Sequence, residues 1–218
     1  MKVFLTGSIR SGTTWLFTIL KTKIYPSFLE RFDLFDLERR REFLLPFDNF
    51  IFKINEDIRE LEKLHNYFPD AKVIVLIRHP LEVIHSIYKP NVKSIPFRPF
   101  VDIKEKWSLP EDSSYLSAVI RRFESYYPTS VLNFVKDSPS WLKVVKYEDY
   151  LKSFDENINN TFQFIEIRDY TKTMLVGPQK TPNQAVRFSN FTEDEQETIN
   201  KSKVPEIIDE LGYLSTHD

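Results

Sequence analysis

Two short constellations in this chain have residue types and spacing suited to gripping a phosphate-like anion. The first is Gly7-Ser8-Ile9-Arg10-Ser11-Gly12-Thr13-Thr14, whose two glycines stand at the interval of a Walker A loop. In a nucleotide kinase the residue after the second glycine is a lysine that reaches the terminal phosphates, and a hydroxyl beside it holds magnesium. Here Thr13 takes that place, and the loop's one cation is Arg10. A loop that keeps the hydroxyls and moves the cation points to an anion bound without the lysine-and-magnesium arrangement. Taken alone, it also reads as a strand–turn–helix junction capped by its own serines and threonines. The second constellation is Arg78, at the end of an apolar run, with Ser86 eight residues later. Arginine offers a planar fork that matches phosphate, and serine adds a hydroxyl donor. Taken alone, this pair also reads as an arginine at a sheet edge and a solvated helix residue.

Both constellations need rigid elements to aim them. Residues 2–6 read as a strand, and residues 13 to about 22 as a helix whose first turn would offer free N–H donors and a positive dipole end. Residues 49–54 read as a second strand, and Ile58, Leu61 and Leu64 recur at helical spacing until Pro69-Asp70. Lys72 to Ile77 is a continuous apolar run of the kind found in a parallel strand covered on both faces. Pro80 opens the next helix at its first turn, where a missing N–H costs nothing. Residues 88–110 hold several prolines and many basic residues with little period, and read as an irregular excursion. Residues 116–127 form a longer helix broken at Pro128, residues 141–147 a strand, and residues 154–165 a helix. Residues 168–188 form a loop, Thr192 with Glu195 makes a capping box, and Gly212 is a helix C′ cap. Strands alternating with helices predict one α/β domain, its mainly parallel sheet flanked by helices on both faces, a P-loop-like three-layer sandwich. Ligands in such folds sit at the carboxyl ends of the strands, where both constellations fall.

The totals narrow the function further. With 218 residues and 41% hydrophobic content the chain can bury one sizeable core. Its 30 basic against 32 acidic residues do not form the basic excess of a nucleic-acid binder. There is no cysteine, so disulfides, thiolate zinc sites and cysteine nucleophiles are excluded. The four histidines have no metal-ligand spacing. His79 is expected to bond backbone at the strand end, His85 to lie on another helix face from Ser86, and His65 and His217 to lie at the surface. With no apolar run near the length of a membrane span and no signal-like segment, a cytoplasmic location is expected.

The segment Arg10-Ser11-Gly12-Thr13-Thr14-Trp15 resembles the 5′-phosphosulfate loop of the sulfotransferase superfamily, a lysine or arginine followed by Ser-Gly-Thr-Thr-Trp. Arg78 with Ser86 resembles the same family's 3′-phosphate motif. The resemblance implies 3′-phosphoadenosine 5′-phosphosulfate as donor, 3′,5′-adenosine bisphosphate as product, and no metal. It implies that Arg10 meets the bridging oxygen, that Ser11, Gly12, Thr13 and Thr14 hold the 5′-phosphate, and that Trp15 lies near the adenine. Tyr147-Glu148-Asp149 resembles the family's Tyr-Glu-Asp, whose tyrosine lies beside the adenine. Lys53, at a strand end, matches a lysine that assists the leaving phosphate. The Arg-Lys-Gly triplet that closes over the 3′-phosphate is missing, with Lys180 and Arg187 as its candidate substitutes.

The family's cytosolic branch carries a histidine as general base two residues after that lysine; here the residue is Asn55, which cannot accept a proton near neutrality. Other branches use a glutamate about twenty residues after the loop cation, which points to Glu30, then Asp33, with Glu56 and Asp57 as later candidates. The acceptor would be a small molecule or saccharide, and residues 88–110, with Lys89, Lys93, Arg98, Phe97, Phe100 and Trp107, its wall. Two other functions stay open at this point. One is a nucleotide or small-molecule kinase of the same architecture, and the other a non-catalytic nucleotide-binding relative.

Overall fold

A computed structural model describes residues 1–29, 36–88, 114–167 and 186–213. Five strands form one parallel sheet: β1 (Lys2–Thr6), β2 (Ser27–Leu29), β3 (Phe50–Lys53), β4 (Lys72–Ile77) and β5 (Leu142–Lys146). Their order across the sheet is β2-β3-β1-β4-β5, with every neighbouring pair parallel. Leu5 lies beside Lys53 on one side and Ile74 on the other, and Ile77 lies beside Lys146. The carboxyl ends of β3, β1, β4 and β5 therefore share one edge, and the loops after them meet there.

The strand period of two explains the core. On one face point Phe4, Phe52, Val73, Val75 and Ile77; on the other point Val3, Leu5, Ile51, Ile74 and Leu76. Because both faces are apolar, both must be covered. The second face is covered by α1 (Thr13–Leu20), α7 (Tyr147–Lys152) and α8 (Phe154–Phe164). The first is covered by α2 (Leu37–Leu44), α3 (Leu61–Tyr67), α4 (Pro80–Tyr88), α5 (Tyr115–Glu124), α6 (Thr129–Lys136), α9 (Glu193–Asn200) and α10 (Val204–Glu210). The α/β class and the helix-flanked parallel sheet are as the sequence pattern implied.

Several boundaries differ from the sequence reading, each for a local reason. The strand expected over 141–147 ends at Lys146, because Tyr147 opens α7. The helix expected over 116–127 stops at Glu124. Asn55–Glu60 is a 3₁₀ turn leading into α3. Besides α7, three strands or helices went unread. β2 is three residues long, too short to show a period. α2, with sequence LERRREFL, carries a fully buried Arg40 where the pattern calls for an apolar residue. α6 begins directly after Pro128, which sits at its N-cap. The capping box at Thr192 and Glu195 is present (3.4 and 2.8 Å), and Gly212 adopts φ +65 after α10. Among the described residues no helix is long and apolar enough to cross a membrane.

Candidate active site

The loop between β1 and α1 is shaped by backbone geometry that its glycines allow. Gly12 adopts φ +98 and caps α1 with no side chain, which leaves the helix's first-turn N–H groups to the loop's concave side. A β-carbon at Gly12 would fall 2.7 Å from the Tyr147 ring, so the loop and the start of α7 are in direct contact. Arg10 is also left-handed, with φ +66. Inside the loop Ser11 donates its hydroxyl to Ser8 O at 2.6 Å, and the buried Tyr127 donates to Ser8 Oγ at 3.3 Å. Burial holds Tyr127 well above the usual tyrosine range, and the hydrogen bond to Ser8 works against that shift.

The two anion constellations meet. Arg10 donates from Nε to Ser86 Oγ at 3.0 Å, and Arg78 donates from Nη1 to Arg10 O at 3.1 Å. Arg78 is almost fully buried, with its guanidinium carbon over the Tyr147 ring, 5.0 Å from the centroid. Its Nη2 is paired with Glu82, one turn along α4. Its Nε is buried with no hydrogen-bond partner among the described residues. A buried N–H of this kind costs free energy while it is unpaired, so an acceptor placed there would be favoured. The other oxygen of Glu82 accepts the Val186 N–H, which brings the start of the 186–191 segment against α4. His85, next to Ser86, meets the Phe191 ring edge-on at 5.7 Å, so this late segment runs along the helix that carries Ser86. Arg187 itself is exposed, its N–H bonded to Asn190 Oδ1 at 2.7 Å.

At the end of β3, Lys53 is 1% exposed. Two residues on, Asn55 accepts the Thr13 hydroxyl on Oδ1 at 3.0 Å, and its carbonyl accepts the Thr6 hydroxyl at 3.1 Å. The carboxamide thus ties the turn after Lys53 to the first residue of α1. Asp57, next along that turn, forms a buried ion pair with Arg40 at 2.6 Å, and the Arg40 guanidinium lies over Phe52, 5.0 Å from the ring centroid. Trp15 packs edge-on against Tyr147 at 5.8 Å and Tyr150 at 5.2 Å. Thr14 is exposed. Among the described residues no cluster of three or more histidine and acidic side chains is arranged to hold a metal ion.

The family model for the sulfotransferase domain matches residues 1–206. The chain belongs to the sulfotransferase family. Among curated proteins nothing matches it. Solved sulfotransferase structures share the fold, two of them as follows. The sulfotransferase domain from the curacin biosynthetic pathway is 17% identical, with TM-score 0.60 and 98% of both chains covered. The mouse sulfotransferase SULT7A1 complexed with PAP is 16% identical, with TM-score 0.55, over 96% of this chain and 88% of that one.

Of the residues singled out for this sulfotransferase, Arg10, Ser11, Gly12, Thr13, Arg78, Ser86 and Tyr147 are gathered at one sheet edge, with Trp15 against Tyr147. Glu30, Asp33 and Lys180 lie outside the described residues, as do residues 89–110 of the expected acceptor wall. The expected histidine placements hold in part. His79 accepts the Leu81 N–H on Nδ1 at 3.3 Å, as a strand-end residue should. His65, expected at the surface, is instead stacked on Trp141 at 4.2 Å, half-buried. The sequence reading did not single out Glu82 or Tyr127. An acidic residue in the first turn of the helix that follows Arg78, four positions on, is the local signal that pointed to Glu82.

Proposed function

We propose that this sulfotransferase moves a sulfuryl group from 3′-phosphoadenosine 5′-phosphosulfate to a hydroxyl or amine of a small-molecule or saccharide acceptor. The observation that carries the reading is the junction of Arg10, Ser86 and Arg78, which sets a cation of the first loop beside the arginine and serine of the second motif. A donor with phosphate groups at both its 5′ and 3′ positions needs two anion anchors held at a fixed separation. The orphan Nε–H of Arg78 and the uncapped first turn of α1 supply donors on the two sides of that junction. The mouse neighbour, complexed with PAP, is in keeping with a donor of this kind.

In this reading Ser11, Gly12, Thr13 and Thr14 hold the 5′-phosphate, Trp15 and Tyr147 flank the adenine, and Arg78 with Ser86 selects the 3′-phosphate. Lys180 or Arg187 would close over that phosphate. The acceptor oxygen or nitrogen attacks sulfur in line, and the bond from sulfur to the bridging oxygen breaks with its electron pair going to the phosphate. Charge grows on that bridging oxygen, where Arg10 and Lys53 would offset it. The acceptor's proton passes to a carboxylate, for which Glu30 is the candidate. Asn55 does not serve as the base, since its carboxamide oxygen is occupied by Thr13 and has no useful proton affinity.

The test is ligand-dependent melting followed by turnover. Adenosine 3′,5′-bisphosphate should raise the melting temperature strongly by mass action, and ATP with magnesium much less at equal concentration. Equal stabilisation by the two nucleotides would return the kinase reading. Stabilisation without sulfuryl transfer to any of a panel of phenols, alcohols, amines and sugars would leave a non-catalytic binder.

A further inference from the structure

Tyr213 is far along the chain from both anion motifs, yet its hydroxyl donates to Glu148 Oε2 at 2.9 Å. The other oxygen of the same carboxylate accepts the backbone N–H of His79 at 2.8 Å. His79 follows Arg78, so this bond fixes the peptide plane that joins the strand-end arginine to α4. Glu148 in turn follows Tyr147, whose ring lies beneath the Arg78 guanidinium and against Gly12. The Tyr147-Glu148 dipeptide therefore supports Arg78 from two directions, through a ring contact and through the neighbouring backbone.

The Tyr213 ring is itself held in place. It meets the His79 imidazole edge-on at 4.9 Å, and the Lys146 ammonium lies 4.3 Å from its centroid. Lys146 also donates to Gly212 O at 2.8 Å, and the Tyr213 N–H returns to Ile208 O at 3.0 Å. The left-handed Gly212 makes that return possible after α10. Burial first, and then the Glu148 charge, holds the phenol far above the ordinary tyrosine range, so it remains a hydrogen-bond donor.

We propose that Glu148 and Tyr213 are positioning residues of the donor site, acting through the His79 N–H to aim Arg78 at the 3′-phosphate. The inference rests on the donor reading above. An arginine fork binds phosphate well only when its plane is aimed, and aim comes from the groups that lock its neighbours. Neither proposed residue needs to touch the donor.

The test compares binding of adenosine 3′,5′-bisphosphate and adenosine 5′-monophosphate to the unaltered chain, Tyr213→Phe, Glu148→Gln and the double variant, by calorimetry. Tyr213→Phe keeps the ring and its packing and removes the hydroxyl alone. Its dissociation constant for the bisphosphate should rise about tenfold, the weight of one hydrogen bond to a charged group, with the monophosphate changed by less than about twofold. The double variant should lose little more than the worse single variant, because both act along one path. Loss of affinity for both nucleotides in step with a lowered melting temperature would mean a general structural role and overturn the proposal. Unchanged bisphosphate affinity in Tyr213→Phe would overturn it while leaving the donor reading intact. No bisphosphate binding by the unaltered chain would overturn both.

Discussion

Arg10 and Ser86 are 76 residues apart in the chain, and a single hydrogen bond of 3.0 Å joins them. It fastens the loop after β1 to the middle of α4, and Arg78 reinforces the joint by donating to the Arg10 carbonyl. In the proposed donor reading, charge present throughout binding and charge that grows during reaction would be met by different arginines.

The two arginines should therefore separate in kinetics. Arg78→Ala removes a charge-assisted contact and should cost roughly 1.5–3 kcal/mol of donor affinity. Arg10→Ala should lower turnover more than affinity, because its partner charge builds toward the transition state. Calorimetric binding of the bisphosphate beside single-turnover rates decides the matter, and identical behaviour of the two variants in both assays would refute the assignment.

Two candidate carboxylates, Glu30 and Asp57, should behave differently. Glu30→Gln should lower turnover by about 10²–10⁴-fold with donor binding intact, as loss of a general base does. Asp57 is engaged with the fully buried Arg40, so Asp57→Asn should instead destabilise the fold, by roughly 3–5 kcal/mol in denaturant titration. An unchanged unfolding midpoint for Asp57→Asn would show that the ion pair is not structural, and would make Asp57 a candidate base.

Stability should fall on mild acidification through His79. Burial, foremost, with Arg78 and Lys146 nearby, lowers its pKa from the usual 6.5, while Glu82 works against that shift. The unfolded chain therefore binds the proton more readily than the folded one. The histidine's contribution is complete above about pH 6.5 and is lost as pH falls through the lower folded-state value. His79→Asn should flatten the stability profile across that window, measured as melting temperature against pH; an unaltered slope would contradict this.

Gly7 should tolerate no side chain. A β-carbon there would fall 2.2 Å from the Leu76 carbonyl, and the backbone φ of +152 is one that other residues rarely adopt. The obstruction is β4 main chain, which cannot swing aside as a side chain would. Gly7→Ala should cost roughly 2–5 kcal/mol, from strain and overpacking together. Gly12→Ala meets the Tyr147 ring instead, so its larger effect should be on nucleotide affinity. Denaturant midpoints and bisphosphate titrations of the two variants, compared side by side, test the distinction.

The parts of this protein legible in the sequence are those whose signal lies among neighbours. The run Val73 to Ile77 declares a strand covered on both faces because consecutive residues point to opposite sides of a sheet and all are apolar. The Thr192–Glu195 box and the Gly12 and Gly212 turns are equally local, since each bond closes within a few residues. So are the loop at Gly7–Thr14 and the Arg78–Ser86 interval, where the residues proposed to grip one anion lie within ten residues of one another. The three-residue β2 and the charged α2 went unread because the first is too short to show a period and the second buries an arginine. Only the tertiary structure decided what the site's side chains do to one another. Asn55 accepts Thr13 from 42 positions away, Arg78 reaches Arg10 across 68, and Tyr213 reaches Glu148 across 65. Those pairings depend on the order β2-β3-β1-β4-β5, which sets the ends of distant strands side by side. A side chain's partner is chosen by where the sheet delivers it, and residue spacing along the chain does not carry that information.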